Sequence, residues 1–178
     1  KTLEGFDFSF NPKLNKAQLF DLATCAFIER HENVLIYGPT GVGKSHVSQA
    51  LAHEACRRGH EVLFINTTKM LTHLAGGRAD GTHEQRLARY TRPALLVLDD
   101  FGLKALRAPG PEDLYDVINE RYEKASIVLI SNRDRSEWPE LFGEALLASA
   151  ALDRLTHGAH FVDITGPSFR AEHTKKQL

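Results

Sequence analysis

The sequence predicts an α/β domain, a three-layer αβα sandwich around a five-stranded, mostly parallel sheet. Three observations predict it. Short apolar runs alternate with longer segments of helical spacing along the 178 residues. Runs such as Ala94-Leu95-Leu96-Val97-Leu98 and Ile127-Val128-Leu129-Ile130 are apolar throughout, as strands buried on both faces of a parallel sheet are. Between a strand and a helix, Gly38-Pro39-Thr40-Gly41-Val42-Gly43-Lys44-Ser45 fits G-x-x-x-x-G-K-[ST] at every fixed position.

Taken in order, Phe6, Phe8 and Phe10 alternate in an extended segment, which either packs on a core edge or covers a nucleobase. Residues 13–30 carry Leu14, Ala17, Leu19, Leu22, Ala23, Ala26 and Phe27 at helical spacing. Residues 33–37 form the first strand, and a helix follows the glycine-rich loop over residues 47–58, closed by Gly59. Residues 61–66 read as a second buried strand, and Thr67 or Thr68 caps a helix over residues 69–75. Residues 76–81, with three glycines, read as a flexible loop, after which Thr82 and Gln85 suggest a capping box. The third strand, residues 94–98, ends in Asp99-Asp100, and a helix spans residues 112–124. The fourth strand, residues 127–131, ends in Asn132, and short helices around Trp138 lead to a fifth strand at residues 159–164. Every crossover is expected to be right-handed.

Composition limits the class of function. At 42% hydrophobic and 25% charged, residues 1–178 form one ordinary globular domain. With a net charge of −1 the whole domain is no attractant for nucleic acid, so such binding must come from a local patch. Cys25 and Cys56 lack any zinc spacing and read as two buried free thiols of a cytoplasmic protein. The nine His show no metal spacing either. No apolar run is as long as a membrane span, so no membrane partner is expected. The chain begins at Lys1 rather than Met and reads as an excised domain.

The chemistry gathers at the strand ends, where ligands sit in an open parallel sheet. Gly38, Gly41 and Gly43 let the backbone take positive φ and approach a polyphosphate, so that successive N–H groups form an anion nest at a helix N-terminus. Pro39, Thr40, Val42 and His46 complete the nucleotide-contacting loop. Lys44 reaches the β- and γ-phosphates of ATP, and the Ser45 hydroxyl ligates Mg²⁺. Asp99 holds the Mg²⁺ through its water shell, and Asp100 orients or deprotonates the attacking water. Asn132 either senses that water or caps a helix. The strand at residues 61–66 lies between these two elements, which marks the additional-strand type of P-loop NTPase and argues for hydrolysis over phosphoryl transfer to a metabolite.

The same residues carry a family resemblance over nearly the whole chain. Leu3-Glu4-Gly5-Phe6-Asp7-Phe8, Glu120-Arg121-Tyr122-Glu123, Ser131-Asn132-Arg133, Leu152-Asp153-Arg154-Leu155 with His157, and Gly166-Pro167-Ser168-Phe169-Arg170 resemble the AAA+ ATPase domain of IstB-type transposition helper proteins, relatives of the DnaC-type helicase loaders. The resemblance implies an arginine finger at Arg154, acting in trans on a neighbour's γ-phosphate, and a sensor-II-like arginine at Arg170 acting in cis. It also implies sensor I at Asn132, with Arg121 and Arg133 as weaker candidates for the subunit interface. The implied partners are duplex DNA, further copies of the chain with ATP between them, and a transposase. Two departures from the family stand out. The acidic pair is Asp-Asp where much of the family has Asp-Glu, so slow or partner-stimulated hydrolysis is expected. The lid is expected to be minimal, and the family's N-terminal region is expected to be absent from this sequence.

Lys69, Arg78, Arg86, Arg89 and Arg92 form the densest basic cluster, with Arg86 and Arg89 on one helix face. The cluster either touches DNA phosphates without reading sequence or is a solvated polar helix. Two rival functions stay open: a replicative helicase loader, separable by the strand preference of DNA protection, and a nucleotide-binding interaction module without turnover, which Asp99 and Asp100 argue against.

Overall fold

The computed structural model describes residues 2–9 and 14–165, so Phe10 and Arg170 lie outside the described residues. Its elements run α1 (Lys16–Leu22), α2 (Ala26–Glu29), β1 (Val34–Tyr37), α3 (Lys44–Arg57), β2 (Val62–Asn66), α4 (Thr67–Asp80), α5 (His83–Thr91), β3 (Leu95–Phe101), α6 (Gly110–Arg121), β4 (Ser126–Ser131), α7 (Trp138–Leu141), α8 (Ala145–Thr156) and β5 (His160–Asp163). The strands lie in the order β2-β3-β4-β1-β5, and every pairing is parallel. β4 is thus wedged between β1, which leads to the glycine-rich loop, and β3, which delivers the acidic pair.

Strand side chains alternate between faces, and each face builds its own core. Val34, Ile36, Leu95, Val97, Val128, Ile130 and Val162 meet α1, α2 and α3 through Leu19, Phe27, Val47, Ala50 and Leu51. Leu35, Tyr37, Leu96, Leu98, Ile127 and Leu129 meet α4 to α8 through Met70, Leu74, Tyr90, Leu114, Trp138 and Ala151. The three-layer sandwich follows from this division. Trp138, 1% exposed, anchors the second core with its ring edge-on to Tyr37 and Phe101.

Several local expectations are corrected. The helix expected over residues 13–30 is broken in two, because Cys25 adopts a left-handed φ of 61°. β2 is a half-exposed edge strand rather than a buried one, with Phe64 at its outer face. Cys56 is exposed, and only Cys25 is a buried thiol. The loop expected over residues 76–81 is the last turn of α4, which runs through Gly76 and Gly77 to Asp80. Its cap is Asn66, whose side chain accepts from the Lys69 N–H, and neither Thr67 nor Thr68 fills that place. Packing explains the glycines: a Cβ on Gly77 would stand 2.8 Å from the His83 Cα, so glycine lets α5 close onto α4. Thr82 makes no capping box; its N–H is taken by Asp80, and its hydroxyl bonds both Asp80 and Arg86.

Candidate nucleotide-binding site

The glycine-rich loop leaves β1 and enters α3 with Gly38, Gly41 and Gly43 at φ of 151°, 83° and 103°. Gly38 admits no side chain at all, because a Cβ there would lie 2.0 Å from the Ile164 carbonyl oxygen at the end of β5. Lys44 opens α3 and is 6% exposed, with its ammonium donating to the Pro39 carbonyl at 2.6 Å across the loop. The loop therefore stacks backbone N–H groups, a helix N-terminus and a buried cation on one spot, which is what a polyphosphate requires.

A cavity of about 310 Å³ faces that spot, and the ends of β3 and β4 and the loop that follows β1 reach it. Its wall includes Thr40 to His46 from the loop, Asp99 and Asp100 from β3, Ile130 of β4 and Asn132 just beyond it, and Gly5, Phe6 and Asp7 from the N-terminal segment. Pairing of β3 with β4 slips between Leu98 and Phe101, and Asp100 takes a left-handed φ of 54° within the slip. Such an irregularity re-aims side chains at a site. The Asp100 N–H donates to Asp99 Oδ1 at 2.8 Å. Burial pushes the Asp99 carboxyl above the ordinary carboxylate range, and the Asp100 charge adds to that, while the Asp100 N–H bond and the Lys44 charge oppose it. A half-buried carboxylate beside a second one, next to the exposed Ser45 at a helix N-terminus, fits a divalent cation brought by a nucleotide. Asn132 is exposed at the mouth of the cavity.

Sequence reasoning missed Asn66. Its amide donates to Asp100 Oδ2 at 3.0 Å from the end of β2, while Thr67 holds the Asp99 carbonyl at 2.8 Å. The rule that found Asp99 and Asn132, a polar residue at the carboxyl end of a strand, also selects Asn66. The N-terminal segment, expected to be extended, is a series of turns over residues 2–9. Phe6 packs on the glycine loop, 2.9 Å from where a Gly43 Cβ would be, and edge-on to His46, whose Nε2 meets the Thr2 carbonyl at 2.8 Å. Phe6 also lines the cavity, whereas Phe8 turns to stack on Phe20.

The remaining candidates lie elsewhere. Arg154, on α8, sits with Asn33, Glu123 and Gly158, residues that precede β1, β4 and β5, at the opposite end of the sheet from the cavity. Its guanidinium donates to Asn119 Oδ1 and the Ala150 carbonyl, each at 3.0 Å, and lies over the Tyr115 ring. Arg121 is no interface residue. It is 1% exposed, donates to the Tyr90 and Ser126 carbonyls, and burial lowers its pKa to about 10. Arg133 is tied to the Gly102 carbonyl.

The basic cluster divides. Arg86 turns inward against α4, donating to Thr82 Oγ1, the His73 carbonyl and Asp80, so it does not share an outward face with Arg89. The reason is the glycine pair of α4, which opens the space that the Arg86 guanidinium fills. Arg78 is held by the fully buried Asp113 at 2.6 Å. Lys69, Arg89 and Arg92 remain exposed.

A five-stranded parallel sheet with β4 between the two phosphate-site strands, joined to this loop, defines the AAA+ class of P-loop NTPase. Solved structures of that class share the fold. DnaI superposes with a TM-score of 0.74 at 21% identity, covering 92% of this chain and 90% of that one. The replication initiator DnaA bound to AMPPCP and single-stranded DNA gives a TM-score of 0.71 at 25% identity, over 99% of this chain and 54% of that one. The family model described as IstB-like ATP binding protein matches residues 1–177, and the chain belongs to that family. A Mycobacterium tuberculosis protein named for ATP binding in an insertion sequence is 44% identical over 170 residues. A counterpart named for the insertion sequence IS21 of Pseudomonas aeruginosa is 39% identical over 176 residues. The chain spans 68% and 66% of the length of these two relatives, and about half of DnaA. Among the described residues no helix is long and apolar enough to cross a membrane.

Proposed function

We propose that this chain is the ATP-hydrolysing domain of a transposition helper, which assembles on duplex DNA with ATP between copies and acts on a transposase. One observation carries the reading: the cavity gathers loop, lysine and acidic pair from one chain, while Arg154 lies at the far end of the same sheet. An arginine so placed serves a neighbour's site, where it adds positive charge as the transition state gains negative charge. Arg170 is assigned a nucleotide contact in cis on the family resemblance alone.

Within one chain, the loop N–H groups and Lys44 bind and align the polyphosphate, and Ser45 and Asp99 hold its Mg²⁺. When bound there, the cation would supply positive charge against the charge that develops on the phosphates. Asp100, held in place by the Asn66 amide, takes the proton of the attacking water, and Asn132 positions that water. Asp100 has one methylene less than glutamate, so turnover is slow until assembly or a partner tightens the site. The insertion-sequence names of the relatives support the transposition setting. Sedimentation with ATP, with and without duplex DNA, combined with phosphate release, tests the reading. Assembly that requires ATP and accelerates release is the expected result. A monomer under all conditions, or no release with DNA and transposase present, overturns it.

A further inference from the structure

Three groups that the nucleotide site does not use meet where α4, α5 and α6 pack together. His83 of α5 and Asp113 and Asp116 of α6 each bring one ligand-capable atom to within 4.8 Å of the others. Spacing creates part of this: residues three apart on a helix share a face. The chemistry of the cluster is one-sided. His83 Nδ1 lies 3.1 Å from the Leu74 carbonyl oxygen. A carbonyl only accepts, so Nδ1 carries the proton, and Nε2 of the neutral ring is a lone pair. That Nε2 is 3.7 Å from Asp113 Oδ1, too far for a hydrogen bond. Asp113 is fully buried, and Arg78 bonds its Oδ1 twice, at 3.1 and 2.6 Å. Its Oδ2 is buried with no hydrogen-bond partner among the described residues. An orphaned buried carboxylate oxygen is costly unless something binds it.

We propose that His83, Asp113 and Asp116 bind a divalent transition-metal ion of the zinc class, which fastens α5 to α6. One imidazole nitrogen with two carboxylates suits Zn²⁺, or Co²⁺ and Mn²⁺ in its place, whereas Mg²⁺ and Ca²⁺ favour oxygen alone. Supporting contacts of the kind such sites use are present. The histidine gives its second N–H to a backbone carbonyl, and an arginine braces a ligating carboxylate. The His83 side chain is 17% exposed, so solvent reaches the site.

The test uses the purified protein, stripped with chelator and free of nucleotide. Zn²⁺ is titrated by calorimetry, and Co²⁺ is followed by its visible absorption. One Zn²⁺ per chain is expected, with about tenfold or greater weakening in His83→Ala and in Asp116→Asn and loss of the Co²⁺ bands in both. Nucleotide binding should be unchanged in both variants. No Zn²⁺ binding by the wild type at concentrations on the order of tens of micromolar overturns the proposal. So does wild-type affinity in His83→Ala, which would assign the ion to surface histidines. If that variant fails to fold, as judged by circular dichroism, Asp116→Asn decides alone.

Discussion

The two ends of the sheet are built from different materials. At the carboxyl ends of the strands the site is mostly backbone: a glycine loop, a helix N-terminus and a slipped strand pairing fix where each polar group points. At the amino ends Arg154 is a single long side chain laid over Tyr115 and Asn119. A backbone-built site is ordered before anything binds. Under the proposed function, the side chain on the helix surface acts when a second copy brings it to its target. On that reading, the difference assigns the holding of ATP to the single chain and its hydrolysis to a pair of chains.

The sharpest way to break that contrast is Arg154→Ala. ATP affinity should be unchanged while turnover falls on the order of 1,000-fold. Loss of ATP affinity in a folded variant would show that the two ends are not separate. Next comes Lys44→Ala, expected to lose on the order of 100-fold in turnover together with nucleotide binding, read by fluorescent-nucleotide titration. Mixing Lys44→Ala with Arg154→Ala should then restore part of the turnover, because each chain supplies what the other lacks. A mixture as inactive as its components would sink the trans assignment. A smaller effect is expected at Asn66. Asn66→Asp keeps an acceptor for the α4 cap but sets a carboxylate against Asp100 instead of a donor, so turnover should fall about tenfold or more. Asn66→Ala removes the donor without that repulsion and loses about 1 kcal/mol of cap stability. The smallest effect concerns DNA. Charge removal at Lys69, Arg89 or Arg92 should weaken binding evenly across sequences and reduce the salt slope by about 0.9 for each phosphate that is no longer neutralised. An unchanged slope would leave these three as ordinary surface.

What could be read ahead of the structure was whatever chemistry forces on a single chain. Positive φ at Gly38, Gly41 and Gly43 demands glycine, and buried parallel strands demand apolar runs, so the loop, the sheet and Asp99 were legible. What stayed hidden depended on contacts between distant segments. Gly76 and Gly77 suggest a loop by local preference, yet they sit in a helix because α5 and Arg86 need the room. The same packing takes Arg86 out of the basic surface. Arg121 gave no hint that two buried carbonyls would claim it. Asn66 was overlooked because the adjacent threonines looked like better caps.

Asn66 has a single primary amide, and both of its ends are occupied: the oxygen closes the first turn of α4 and the nitrogen steadies Asp100. One torsion, about the bond to its amide carbon, governs both contacts. Swinging the nitrogen away to release Asp100 also uncaps a 14-residue helix. The resting alignment of the acidic pair therefore stiffens with the helix that leads into the basic segment, and a push on α4 reaches Asp100 through a lever one side chain long.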